Sequence, residues 1–243
     1  MEQYNYQKLN TELDSFQNIW SGGYLTGYSE KRNQKGLEHY LSENLSGKTF
    51  LEIGCGGGQW SKFIYDQGVF DVMYCIDALS EDHNNFWDNL GKQAKETIDY
   101  KKVDNFSLDF IEDNSLDFVF SYDVFCHISL SGTKGYLDAL SKKCKKGSKL
   151  LIMYADPKKY IESEPENRFH LKRYLPRSKF VYNISNKKLI QDALADSDGK
   201  ASEGRWYWIG SELFIDLLNK LGFKIISEDI NIDNTNVITL FEK

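Results

Sequence analysis

Much is missing from this 243-residue chain. No apolar run approaches the roughly 20 residues that a membrane-spanning helix needs. The opening stretch "MEQYNYQKLNTELDSF" is polar and has no apolar centre, so no secretory leader is expected. Cysteine is scarce and scattered. Cys55, Cys75, Cys126 and Cys144 form no C-x-x-C pair. Three of them sit in or beside apolar runs, where reduced core thiols are commoner than metal ligands. A reducing, cytoplasmic setting is the expectation. Positive charge is also short: 30 Lys and Arg against 36 Asp and Glu leave a net charge of −6. That argues against general nucleic-acid binding, though it leaves room for a local basic patch. Internal repeats and low-complexity tracts are absent too.

What is there suits one α/β domain with a sizeable core. Hydrophobic residues make up 41% of the chain and aromatics 14%, so ring-lined pockets are expected. Segment 1–47 reads as polar and aromatic, with helical pieces and the turn-rich "WSGGYLTGY". From 48 the rhythm becomes regular. Strands are expected at 48–54, 70–77, 97–104, 115–125 and 148–156, with helices at 59–68, 80–96 and 131–147. Gly68 and Gly147 read as helix stops, and Ser80 as a cap. A helix at 210–222 and two neighbouring antiparallel strands close the chain. Strand and helix alternate, which implies a mainly parallel sheet covered on both faces. Residues 156–205 break the pattern and read as an insertion after the fifth strand. The chain thus divides into an N-terminal segment (1–47), a half that carries the glycine loop (48–155), an insertion (156–205) and a C-terminal helix with its strand pair (206–243).

"FLEIGCGGGQW" (50–60) stands out, with four glycines in five residues. A strand, a glycine loop and a helix make a corner where a ligand can touch backbone and meet the free N–H groups of a helix start. The dinucleotide fingerprint G-x-G-x-x-G fails here, because Gln59 stands where its third glycine belongs. A phosphate-binding P-loop fails too, because no Gly-Lys-Ser/Thr follows. The pattern that fits is E-x-G-x-G-x-G: Glu52, Gly54, Gly56, Gly58. Here the chain resembles the class I S-adenosylmethionine-dependent methyltransferases, of the small-molecule and sugar O-methyltransferase kind. The likeness covers roughly 48–156 and, more loosely, 206–243.

This resemblance implies a Rossmann-like, seven-stranded, mainly parallel sheet with an antiparallel last strand. It implies S-adenosyl-L-methionine as cofactor and S-adenosyl-L-homocysteine as product. It places Asp77 on the ribose hydroxyls and Asp104 at the adenine amino group. Ala78, Asn105 and Phe106 join them, with Trp60 beside the glycine loop and Ser121 taking the ammonium group with Gly54. Glu52 would order the loop and complement the cationic cofactor. Tyr28, with Trp20 and Tyr24, would wall the site from the N-terminal segment. Tyr24 is also a candidate for the acceptor.

"SYDVFCHIS" opens from the fourth strand onto the reacting end. Asp123 and His127 are the candidates for deprotonating or clamping an acceptor. No metal is expected, since the sequence offers Asp123 no second acid. From Asn167 to Ile190 there are seven Lys and Arg and no Asp or Glu. Arg168, Arg173 and Arg177 in this run suit a phosphate or carboxylate, so an anionic sugar or sugar nucleotide is an expected acceptor. "KKCKK" (142–146) reads as a solvated helix end, and "RWYWIG" (205–210) as packing. The expected reaction is methyl transfer to a small-molecule or carbohydrate hydroxyl. The alternatives are an N-methyltransferase on a small amine or amino sugar, a methyltransferase on a protein, and a cofactor-binding module without catalysis.

Overall fold

The structure is a computed structural model that describes residues 31–164, 185–198 and 206–243. Its elements in chain order are α1 (Lys31–Asn44), β1 (Thr49–Ile53), α2 (Gln59–Asp66), β2 (Val72–Asp77), α3 (Phe86–Leu90), β3 (Ile98–Lys102), β4 (Leu116–Ser121), α4 (Leu130–Lys143), β5 (Cys144–Tyr154), α5 (Pro157–Ser163), α6 (Asn186–Ala195), α7 (Ser211–Lys220), β6 (Lys224–Ser227) and β7 (Val237–Glu242). The strands form one seven-stranded sheet in the order β3-β2-β1-β4-β5-β7-β6. β1 pairs in parallel with β2 and β4, while β7 runs antiparallel to both of its neighbours. Among the described residues, no helix is long and apolar enough to cross a membrane.

Alternation along β1 explains the two-sided core. Leu51 and Ile53 point to one face, where Tyr136, Leu137 and Leu140 of α4 meet Phe214 and Leu218 of α7. Phe50 points to the other, with Leu37 and Leu41 of α1 and Ile64 of α2. Ile161 of α5 and Leu189 of α6 extend that second layer. The fold follows the expected strand–helix rhythm.

Three local expectations need correction. The single helix at 80–96 is broken. Ser80 does cap a turn, its Oγ accepting from the His83 N–H at 3.2 Å. Asn85 then turns left-handed at φ 51°, α3 runs for five residues, and Gly91 (φ 90°, ψ 148°) interrupts before a 3₁₀ turn at Lys92–Glu96. The helix at 131–147 ends early, at Lys143, because Cys144 is already extended in β5 (ψ 136°). Gly147 (φ 85°) therefore sits inside a strand rather than stopping a helix. "KKCKK" is solvated only in part: Lys142 and Lys146 are exposed, but its middle is not. Lys143 is buried and pairs with Asp113 at 2.8 Å, and Lys145 pairs with Asp117 at 2.7 Å. Asp117 also accepts the N–H groups of Lys48 and Thr49, fixing the entry to β1.

β1 carries one polar side chain into the core. Glu52 is 2% exposed and accepts the Ser61 hydroxyl of α2 at 2.5 Å. Burial pushes its carboxyl up to about 8; the Ser61 hydrogen bond opposes that rise and the charge of Asp77 adds to it. Between the ordinary glutamate value of 4.5 and about 8, the folded state thus binds more protons than the unfolded state. Stability is therefore predicted to fall as pH rises through this window. Glu52→Gln removes the charge and should flatten the fall, as read from urea midpoints at about pH 5 and about pH 8.

Candidate functional site

The sheet's winding reverses between β1 and β4, which are neighbours although far apart in sequence. At such a switch point the loops leaving the two strands diverge and open a crevice at their carboxyl ends. Ser121 ends β4 fully buried, its hydroxyl donating to the Ile53 carbonyl at the end of β1 at 2.9 Å. The two strand ends are thereby locked together beneath the crevice.

The glycine loop is held from the other side by β2. Gly54 and Cys55 both donate their N–H to the Ile76 carbonyl, at 2.7 and 3.0 Å. Gly56 donates to one carboxylate oxygen of Asp77 at 2.9 Å, and Leu79 to the other at 2.8 Å. Gly54 (φ 75°) could not carry a side chain, since a Cβ would stand 2.1 Å from Val124. Gly58 (φ 82°) starts α2 in the left-handed region, tight against Leu90 and Phe86. Asn89 donates to the Gly57 carbonyl at 2.7 Å and completes the cradle.

Gly54, Cys55, Gly57, Gln59, Trp60, Tyr122 and Asp123 line a cleft. Trp60 packs edge-on against Phe120 and tilted against Tyr122. Asp77 is half-buried. Burial pushes its pKa up, and the Leu79, Gly56 and Asn84 hydrogen bonds and the nearby His83 pull it back. Three donors on two oxygens leave the carboxylate with remaining acceptor capacity for a ligand. His83 Nε2, close by, is buried and has no partner among the described residues. These features fit an adenosyl ligand: a fixed carboxylate for two hydroxyls, a side-chain nitrogen awaiting a partner, and glycine backbone for close approach.

On the acceptor side, Asp123 adopts the left-handed region (φ 60°), rare for a non-glycine residue. Its carboxylate accepts the Cys126 thiol at 3.5 Å and lies 3.9 Å from His127 Nε2. Burial pushes the Asp123 pKa up, His127 pulls it down, and Asp233 raises it further. Tyr122 donates its hydroxyl to Asp233 at 2.8 Å. Asp123, Cys126 and His127 bring oxygen, sulfur and nitrogen within 4.8 Å of one another. Burial and the neighbouring Asp123 hold the Cys126 thiol protonated, so it stands here as a hydrogen-bond donor rather than a thiolate.

Of the sequence candidates, Gly54, Trp60 and Asp123 line the cleft, and Gly56, Gly58, Asp77 and Ser121 build its floor. Glu52 lies beneath the loop, and His127 stands behind Asp123. Ala78 follows Asp77 and is half-buried against the core. Asp104 is exposed and accepts from Asn105 Nδ2 at 2.8 Å. The Phe106 ring is buried edge-on to Tyr136, 4.7 Å between centroids, which leaves only its backbone for a ligand. Tyr24, Tyr28, Arg168, Arg173 and Arg177 lie outside the described residues. Tyr122, His83, Asn89 and Asp233 went unremarked in the sequence. Tyr122 had a signal, its place between Ser121 and Asp123. Asp233 had none, being brought in from 111 residues away.

The chain matches the family described as "Methyltransferase domain" over residues 25–228. It is 29% identical over 188 residues to phosphoethanolamine N-methyltransferase 2 of Caenorhabditis elegans. That match covers 74% of this chain but only 41% of the relative, so the chain spans about two fifths of the curated protein's length. Its fold is similar to that of a Burkholderia thailandensis 1,6-didemethyltoxoflavin-N1-methyltransferase (TM-score 0.62, 11% identity, covering 100% of this chain and 91% of that one). It is also similar to a methyltransferase structure from Listeria monocytogenes (TM-score 0.58, 16% identity, 86% and 99% covered). With the family match spanning most of its length, the chain belongs to the class I S-adenosylmethionine-dependent methyltransferases.

Proposed function

We propose that this protein transfers a methyl group to a nitrogen of a small amine that also carries an anionic group. The observation behind this reading is Asp123, a half-buried carboxylate at the lip of the cleft with a second acid, Asp233, near enough to act on it. Such a site is short of positive charge, and an ammonium group supplies it. Support comes from the relatives, two of which are named as N-methyltransferases. The basic run 167–190 supplies the complementary cations for the acceptor's anion. Lys187 and Lys188 of that run open α6, where Lys188 pairs with Asp192 at 2.9 Å.

The cofactor supplies a methyl carbon activated by its sulfonium. The protein's task is alignment and proton removal. Gly54, Gly56 and Asp77 hold the adenosyl end, and Asp104, Ala78, Asn105 and the Phe106 backbone are assigned to the adenine edge. Trp60 and Tyr122 wall the cleft. Alignment of acceptor and methyl carries much of the rate, up to about 7–11 kcal/mol. An amine attacks only after losing its proton, and His127, poised by Asp123, accepts it. The second reading is a carbohydrate or other small-molecule hydroxyl. His127 beside a carboxylate favours it too, since that pair suits a base for a hydroxyl. Four buried free thiols fit a reducing, cytoplasmic setting.

Asp77→Ala is expected to weaken S-adenosylhomocysteine binding by about 1.5–3 kcal/mol, the value of hydrogen bonds to a charged group. Calorimetry on a folded variant with unchanged affinity would remove Asp77 from the cofactor site. His127→Ala and Asp123→Asn should each hold cofactor affinity while kcat drops, for the residue acting as base, by about 10²–10⁴-fold. Full activity in both would leave alignment alone as the mechanism. Assaying amines against matched alcohols for methyl uptake separates the two readings.

A further inference from the structure

Behind His127 lies an aromatic corner that the mechanism above does not use. Trp206, just before α7, stands edge-on to the His127 ring with 6.3 Å between centroids. Tyr160 of α5 packs tilted against it at 5.8 Å, and Trp208 at 5.5 Å. Tyr160 and Trp208 close the triangle at 5.1 Å. Trp208 is 4% exposed and anchors the corner, its backbone bridged to Ala155 at the end of β5. Trp206 and Tyr160 are half-buried, less enclosed than Trp208. Tyr207 between the two tryptophans is fixed by its N–H, which donates to the Cys126 carbonyl at 2.7 Å. The corner is thus tied to the very turn that carries Asp123 and His127.

Core packing explains Trp208. It does not explain an indole placed on the reactive turn with part of its surface open. The electron-rich face of an indole attracts a cation within about 6 Å, and Trp does so better than Tyr or Phe. Asp123 lies 3.9 Å from His127 Nε2 and the Trp206 ring 6.3 Å from the His127 ring, so an ammonium held at His127 has a carboxylate and an indole within reach. That combination suits alkylated amines best, since each methyl removes an N–H donor but leaves charge and adds apolar surface. The Trp208 indole N–H, buried and unpartnered among the described residues, is a further donor in this corner.

We infer that Trp206, supported by Tyr160 and Trp208, is a specificity-determining wall for the cationic head of the acceptor. This rests on the amine reading of the site. The probe is tetramethylammonium, compared with tert-butanol, its neutral counterpart in shape. Both are titrated into full-length protein saturated with S-adenosylhomocysteine and followed by saturation-transfer NMR and tryptophan fluorescence. Saturable binding of tetramethylammonium, with none of tert-butanol, is the expected result. Trp206→Leu, which keeps bulk but removes the ring, should weaken that binding by about tenfold, while Trp206→Phe retains most of it. S-adenosylhomocysteine affinity should be unchanged in both variants. Equal binding of the two probes, or Trp206→Leu leaving tetramethylammonium affinity as in the parent, would overturn the inference. So would Trp206→Leu losing the S-adenosylhomocysteine site, since the residue would then act through the fold. The cofactor titration of the parent protein stands apart: its failure would sink the methyltransferase reading, not the wall alone.

Discussion

One carbonyl and one carboxylate at the end of β2 organise the cofactor side of this molecule. The Ile76 carbonyl takes two N–H groups from the glycine loop, and Asp77 takes a third. The loop runs through positive-φ glycines and could not hold its shape from local preference, since glycine loses the most freedom on ordering. Bonding it to β2 makes the loop part of the sheet. The same arrangement fixes Asp77, the residue proposed to meet the ribose. Structure and recognition here rest on the same few hydrogen bonds, which is why the acid at the end of β2 matters both to the loop and to the ligand.

A second constraint follows from the sheet's order. Reversal of winding between β1 and β4 opens the crevice, and the Ser121 hydroxyl on Ile53 keeps its floor closed. The two candidate acid–base residues, Asp123 and His127, lie on the turn that leaves β4. That turn begins with Asp123 in a left-handed conformation, and such strain is usually found where a side chain must be aimed. Asp233, from the β6–β7 loop, holds Tyr122 and adds negative charge beside Asp123. The far end of the chain therefore contributes to the electrostatics of a turn in its middle.

What the sequence revealed and what it hid divide along this line. The glycine loop, Asp77 and the strand rhythm were legible because each is local: a motif, a strand end, a period. The break at Gly91 and the early end of α4 at Lys143 were not, because tertiary pairing decides them. Cys144 leaves α4 to pair with Leu116 of β4, and Lys143 and Lys145 turn inward to Asp113 and Asp117. Phe106 was placed near the cofactor by its neighbours in sequence, yet its ring is taken by Tyr136. Asp233 and the Trp206 corner were hidden for a simpler reason. They reach the site from distant loops, and nothing in their own sequence marks the meeting.

This division has a physical basis. A cofactor shared by a whole family can be held by short-range geometry that any member can encode in one strand, one loop and one helix. An acceptor that differs between members must be met by side chains from variable segments, and those converge only through the fold. In this protein the proposed convergence point is the Asp123–His127 turn. It is flanked by Tyr122 and Asp233 on one side and by Trp206 and Tyr160 on the other. Negative charge and aromatic rings there suit a cation, and the proposed role of the basic run at 167–190 is to meet an anion. The acceptor proposed above, an amine that also carries an anion, is the one that answers both charges, whereas a neutral sugar answers neither.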